Sequence, residues 1–174
     1  MADIVAPKYP TEVEMISLLR SLLPRAFPVL RNRGKDMNPW GVSRPVSDPK
    51  RGGHFGGMKD GKLVKAKAAD VYLNASNPYE KKLGDALFKT FLKYRLSLGI
   101  SFIVWNGQKS NPDGTIRRYV PPKNTPTWRH EDHLHIEFNP KTGDRDQSDL
   151  LLVIIDEIKM AIGEPIQEYP YARP

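Results

Sequence analysis

The stretch HEDHLHIEF, residues 130–138, contains three of the four histidines of the chain and alternates between polar and apolar side chains. Successive side chains of a β-strand point to opposite faces of a sheet, so His133 and His135 share one face. The opposite face carries Leu134, Ile136 and Phe138. The apolar face can pack on a core while the two imidazoles face a site. Such a pair is typical of a metal centre, where one imidazole binds the ion and the other handles a proton or a charge.

The composition is that of a globular protein with one domain. The chain has 174 residues, of which 39% are hydrophobic and 27% charged. No run approaches the ~18 apolar residues of a membrane span. The first ten residues contain no basic region followed by an apolar stretch, so we expect synthesis in the cytoplasm without a signal peptide. Because cysteine is absent, any metal must be bound by histidine and carboxylate side chains.

The charge of the chain is strongly positive. A net charge of +7 and a pI near 9.6 favour polyanionic partners: nucleic acid, anionic lipid, or a cell wall rich in carboxylates and phosphates. The alternative is that the excess lysine only aids solubility. The basic residues are spread along the chain and no block resembles a nucleic-acid arm, so nucleic acid is the less favoured partner.

Periodicity predicts three helices and three strands. The helices are expected at residues 11–23, where Pro24 ends the first one, at 77–98, and from Asp146 or Ser148 to Ile162. The strands are expected at 68–73, at 100–105 and in the histidine stretch. Residues 1–45 then hold one helix plus irregular chain. Residues 24–62 and 106–127 are predicted to be long loops, the second with a short strand near 118–120, and residues 164–174 an extended tail. The order indicates an α+β fold, with a small, mainly antiparallel sheet and helices packed on one side.

Three side chains are candidate metal ligands. His135 lies on the histidine strand, Asp70 lies on the polar face of another strand, and His54 lies in a glycine-rich loop. A hydrolytic zinc site has three protein ligands and a fourth position for water, and a nearby carboxylate or imidazole takes up the proton. Asp132 or His133 can serve that purpose. The competing interpretations are an exposed loop histidine at position 54 and a turn residue at position 70. His130 is a candidate partner of the ligands.

These pieces together resemble the LAS-type zinc peptidases, named for lysostaphin, D-alanyl-D-alanine carboxypeptidase and sonic hedgehog. The closest likeness is to the D-alanyl-D-alanine carboxypeptidase branch of peptidoglycan peptidases. Members show an early His, an Asp-led strand, a helix, an apolar strand resembling IIWN, and finally HxDHxHI. In this chain the same order is His54, AKAADVYLN around Asp70, a helix, ISFIVWN at 100–106, and HEDHLHIEF. The likeness covers about residues 50–140.

The resemblance implies roles for five residues. His54, Asp70 and His135 would bind zinc, His133 would assist catalysis, and Asp132 would be the general base. Two features depart from the family pattern. Fifteen residues separate His54 from Asp70, where about six are usual; a hairpin or turn around residues 59–62 would absorb the excess, and Asp60 is the fallback ligand. Gly52 occupies a position where many relatives have serine.

The resemblance also implies a fold and a function. We expect a LAS-type domain over residues 1–174 that hydrolyses an amide in peptidoglycan stem peptides, as a carboxypeptidase or an endopeptidase. Arg51 is a candidate clamp for a substrate carboxylate, with Arg44 and Arg129 as alternatives. Trp105 and Trp128 are candidate apolar walls, core packing being the alternative for both tryptophans. Action on the wall after release or delivery fits a phage endolysin or a secreted effector. The rival hypotheses are a nucleic-acid-acting metal enzyme and a zinc-binding module without activity.

Overall fold

The computed structural model describes residues 11–30 and 41–166 of the chain. Within them, five strands form one sheet in the order β3-β7-β4-β5-β6, and every neighbouring pair is antiparallel. A separate two-stranded hairpin consists of β1 and β2. The strands are β1 Gly57–Lys59, β2 Lys62–Val64, β3 Ala68–Tyr72, β4 Ile100–Trp105, β5 Gln108–Ser110, β6 Ile116–Arg118 and β7 His133–Phe138.

In the described residues, four α-helices accompany the sheet: α1 Glu14–Ala26, α2 Pro78–Lys93, α3 Arg95–Leu98 and α4 Ser148–Ile162. Helix α2 packs on α4 and on β4, and α1 packs on α4. The Asn77 side chain caps α2 by accepting hydrogen bonds from the backbone N–H groups of Tyr79 and Glu80. The predicted α+β class with a mainly antiparallel sheet is therefore confirmed. Among the described helices, none has the length and apolar character needed to cross a bilayer.

The two faces of the sheet differ as the alternation in β7 predicts. Leu134, Ile136 and Phe138 are buried in the same core as residues of α1, α2 and α4. Their cross-strand neighbour Ile103 is buried there too. Burial of such side chains is worth roughly 1.5–3 kcal/mol each, so this face of the sheet holds the helices in place. The polar side chains of the site lie on the other face.

Trp105 belongs to the core face, which corrects its assignment to the substrate site. Its side chain is 1% exposed, and its indole N–H donates to Asp85 Oδ1 of α2 at 2.9 Å. The ring fills the space above Gly84, where a Cβ would lie 2.3 Å from it. Trp105 therefore joins α2 to the sheet, and since it alternates with Val104 it faces away from the histidines.

Helix α1 is shifted relative to its predicted bounds. Thr11, where the predicted helix begins, does not cap it: its hydroxyl donates to the Val64 carbonyl. The Glu14 N–H is capped by the carboxylate of Asp144, a residue 130 positions away that no local pattern reveals. Pro24 lies inside the helix, which continues to Ala26, because a proline near the last turn removes only one backbone hydrogen bond.

The two predicted loops contain short elements. Residues 24–62 hold 3-10 helices at Pro28–Leu30 and Pro49–His54 and the strand β1; positions 31–40 lie outside the described residues. Residues 106–127 hold β5 and β6, so the predicted short strand lies slightly earlier than expected. Both are only three residues long and largely polar, so neither shows a clear period-two pattern. The predicted tail lies outside the described residues beyond position 166.

Candidate metal centre

Two of the three predicted ligands are direct cross-strand neighbours. Asp70 of β3 pairs with His135 of β7 in the antiparallel register, so both side chains leave the sheet on the same face. His135 Nδ1 lies 2.9 Å from Asp70 Oδ1. The edge of β3 is secured by Ser43, whose hydroxyl accepts from the Asp70 N–H at 2.8 Å and whose N–H donates to the Asp70 carbonyl. Ser43 thus holds both the N–H and the carbonyl of Asp70.

The third predicted ligand, His54, reaches the same point from the 3-10 helix Pro49–His54. Its Nε2 lies 3.5 Å from Asp70 Oδ1, and its ring lies edge-on to the His135 ring with centroids 5.2 Å apart. The loop is anchored by hydrogen bonds from the Val46 N–H to the His54 carbonyl and from the Lys67 N–H to the Gly53 carbonyl. A Cβ on Gly53 would lie 2.9 Å from the Cβ of Ala68, so glycine permits this close approach.

His54, Asp70 and His135 therefore form one cluster whose possible ligand atoms all lie within 4.8 Å of one another. Burial would raise the pKa of Asp70, but the hydrogen bond from His135 and the nearby imidazoles of His133 and His54 outweigh it and lower that pKa. Burial lowers the pKa of His54, against the effect of the Asp70 carboxylate. An ionised carboxylate beside a neutral imidazole is the protonation state that metal binding requires.

Asp60, the fallback ligand, lies elsewhere. Asp60 and Gly61 form the two-residue turn between β1 and β2, and both have positive φ, as a type I′ hairpin turn requires. The extra residues between His54 and Asp70 are therefore taken up by this hairpin, as predicted. Of the two candidate aspartates, the structure brings Asp70 to the histidines.

Beside the cluster, Asp132 and His133 form a hydrogen-bonded pair. Asp132 Oδ1 lies 2.7 Å from His133 Nδ1, and Asp132 Oδ2 accepts from the Thr127 hydroxyl at 2.6 Å. Burial raises the pKa of Asp132, but the hydrogen bonds from Thr127 and His133 lower it overall. A carboxylate only accepts hydrogen bonds, so the proton of a neutral His133 resides on Nδ1. Its Nε2 is then an acceptor, 3.8 Å from Asp70 Oδ1.

His130, the fourth histidine of the chain, lies beside the other three. Its ring centroid lies 4.6 Å from that of His133 and 5.7 Å from that of His135, with Tyr119 edge-on at 5.0 Å. Because β7 begins at His133, His130 arrives through a turn with positive φ rather than along the strand. Burial lowers the pKa of His130 to about 4, and the charges of His133 and His135 act in the same direction.

A cavity of about 640 Å³ opens next to these groups. The connection after β3 and the segment before β7 form two of its walls, and the loop before His54 contributes the predicted clamp, Arg51. The lining also includes Asp70, Tyr72, Asn74, Thr127, Asp132 and His133. In the part of the chain that the structure describes, no acidic side chain pairs with the Arg51 guanidinium. Trp128 is 43% exposed in the segment before β7 but is not part of this lining.

Several contributors to the site carried no signal in the sequence. Phe102 of β4 stacks on the His135 ring with centroids 5.7 Å apart. Thr127 orients Asp132, and Ser43 holds the edge of β3. Each acts through a contact between distant parts of the chain, and lone Phe, Thr and Ser residues have no spacing that marks them.

A scan against protein-family models found no match to the chain, and searches of curated proteins and of solved structures found none either.

Proposed function

We propose that this protein is a zinc-dependent peptidase that hydrolyses an amide bond in peptidoglycan stem peptides. The observation that supports it most is the convergence of His54, Asp70 and His135 beside the Asp132–His133 pair at the edge of a cavity. The order of these motifs along the chain, which resembles that of LAS-type peptidases, supports the same proposal.

The three clustered residues suit zinc in chemistry and in spacing. Zinc binds imidazole nitrogen and carboxylate oxygen at about 2.0–2.2 Å, and tetrahedral ligands at that distance are about 3.3 Å apart. The ligand atoms of His135 and His54 lie 2.9 Å and 3.5 Å from Asp70 Oδ1, on either side of that value. Three protein ligands leave one position open, as in hydrolytic rather than structural zinc sites.

The Asp132–His133 pair would manage the proton. Zinc bound to the cluster would polarise the substrate carbonyl and lower the pKa of a water molecule. Because Asp132 holds the proton of His133 on Nδ1, the free Nε2 can accept the proton of the attacking water, and the carboxylate stabilises the imidazolium that results. The protonated Nε2 can then donate a hydrogen bond to the developing oxyanion and, as the C–N bond breaks, pass its proton to the leaving amine.

Arg51 would hold the substrate on the cavity side. Its guanidinium is one of the lining groups and has no carboxylate partner in the described residues, so it can form a two-pronged contact with a substrate carboxylate. The net charge of +7 would favour adsorption to an anionic wall. We propose that the protein reaches the wall either through release by a phage or through delivery as an effector.

The test is digestion of purified cell walls followed by mass spectrometry of the muropeptides. We expect new amino termini at one type of amide bond, and no cleavage when EDTA is present or when His135 is replaced by alanine. Walls that stay intact with zinc-loaded protein would contradict the proposal. Cleavage of DNA by the same preparation would support the nucleic-acid alternative instead.

A further inference from the structure

A row of side chains crosses the sheet from the metal centre to the far edge. The antiparallel register pairs each member with the next, and paired residues share one face of a sheet. The row consists of Asp70, His135, Val104, Lys109 and Arg117. Because neighbouring strands lie about 4.8 Å apart, the backbone of Lys109 is about 10 Å from that of His135.

The row ends in two cations that face each other. Lys109 of β5 and Arg117 of β6 are directly paired, an arrangement in which like charges repel. In the described residues neither has an acidic partner. The Lys109 ammonium lies instead over the ring of Phe102, 4.1 Å from its centroid. This pair is therefore able to accept an anion from outside the chain.

Phe102 connects Lys109 to the candidate metal centre. One side of its ring stacks on His135, and Lys109 lies against it as well. A group bound at Lys109 would thus lie beside the ring that stacks on His135, a candidate metal ligand. An extended peptide covers about 3.3 Å per residue, so the distance from His135 to Lys109 corresponds to about three residues of substrate.

A paired set of cations can also serve only to keep an edge strand soluble. The hairpin β1–β2 offers such a case, because Lys59 and Lys62 are directly opposite one another and both are exposed. Lys109 differs from them because it is partly buried and packed on a residue that touches His135. The two pairs therefore provide a test case and a matched control.

We propose that Lys109 and Arg117 form an anion subsite that binds a carboxylate of the substrate about three residues from the scissile amide, on the side of the metal centre away from β3. The substrate class is thus a peptide with an acidic group at that distance. This inference rests on the proposed peptidase function and adds a determinant of specificity to it.

The kinetic test uses two synthetic stem peptides that differ at one position, a free carboxylate in one and a carboxamide in the other. Loss of a charge-assisted hydrogen bond corresponds to roughly a 10-fold or larger change, so wild type should cleave the acid with about 10-fold higher kcat/KM. The double variant Lys109→Met with Arg117→Gln should lose this preference through KM. The control, Lys59→Met with Lys62→Gln, should retain it. Equal preferences in wild type and the Lys109/Arg117 variant overturn the subsite.

A binding measurement separates the subsite from the peptidase activity. Glutarate is titrated into isotope-labelled full-length protein, and the NMR signals of Lys109 and Arg117 are followed. We expect them to shift in wild type and in the Lys59/Lys62 control. If wild type cleaves no stem peptide, the peptidase proposal fails and glutarate decides the subsite alone: shifts at these two residues support it, and their absence overturns it.

Discussion

Asp70 and His135 are directly paired on two antiparallel strands, and Asp70 Oδ1 lies 2.9 Å from His135 Nδ1. Backbone pairing therefore fixes two groups of the candidate metal centre before any metal binds. The third group, His54, comes from a loop that is anchored to the same sheet by the Lys67 N–H. Sites supported by strands in this way are held more precisely than sites built from loops alone.

Replacing Asp70 by alanine should abolish zinc binding, because it removes the group that both His54 and His135 approach. Even changes to residues that only support a metal ligand lower affinity by about 10–100-fold, so the loss here should exceed 100-fold. Zinc affinity measured by competition with a chromophoric chelator checks this. Asp60→Ala is the matched control and should bind zinc like wild type; the reverse pattern would assign the ligand to the hairpin.

Replacing Asp132 by alanine should leave zinc bound but reduce turnover by about 10²–10⁴-fold, the usual contribution of general acid–base catalysis. Asp132 orients His133 without belonging to the ligand cluster. Glu131→Gln is the control, since that neighbouring carboxylate also lines the cavity but pairs with Arg129. Rates should be measured on a cleaved stem peptide at saturating zinc. Full activity in Asp132→Ala would show that His133 does not need this carboxylate to take up the proton.

Two glycine-to-alanine variants should separate the core face from the metal face. At Gly84 a Cβ would meet the Trp105 ring, so Gly84→Ala should lose about 1–2 kcal/mol of stability after the gain in helix propensity is counted. Its zinc affinity should be unchanged.

At Gly53 the added Cβ would meet Ala68 and the Glu137 carboxylate, displacing the loop that carries His54, so Gly53→Ala should bind zinc more weakly. Urea unfolding measures the stability of Gly84→Ala, and chelator competition measures the zinc affinity of both variants. If Gly53→Ala bound zinc as tightly as wild type, the predicted effect of the loop contact would be wrong.

Asp144 should contribute stability that depends on pH. Its carboxylate accepts from Lys65 and from the Glu14 N–H, and these hydrogen bonds hold its pKa below the ordinary value. A depressed folded-state pKa gives stability above the unfolded pKa of about 3.9, which is lost as the pH falls through the folded pKa. Asp144→Asn should therefore lower the free energy of unfolding by about 1 kcal/mol or less at pH 7. A difference that persists at pH values where Asp144 is protonated would contradict this origin.

The strands that carry the site were predictable because they are regular. The alternation around His133 and His135 identified β7 and its faces, and the apolar run ending at Trp105 identified β4. Alternation of side chains along β4 places Trp105 on the core face, but the sequence alone left both core packing and a substrate role open for it. Only the contact with Asp85 and the fit over Gly84 reveal that its partners are in α2.

What could not be predicted depends on contacts between distant positions. The cap of α1 comes from Asp144, and the stacking of Phe102 on His135 depends on strand order. The row that joins Asp70 to Arg117 exists only because β3 and β6 are the two edges of one sheet. Periodicity reports which face a residue occupies, but it does not report which strand lies next to it.

The most direct measurement of the central claim is a crystal structure of the zinc-loaded protein with data collected at the zinc absorption edge. We predict one anomalous peak at about 2.0–2.2 Å from His54 Nε2, an Asp70 carboxylate oxygen and His135 Nδ1. A peak bound by other residues, or zinc-loaded crystals without a peak at these three side chains, would contradict the account.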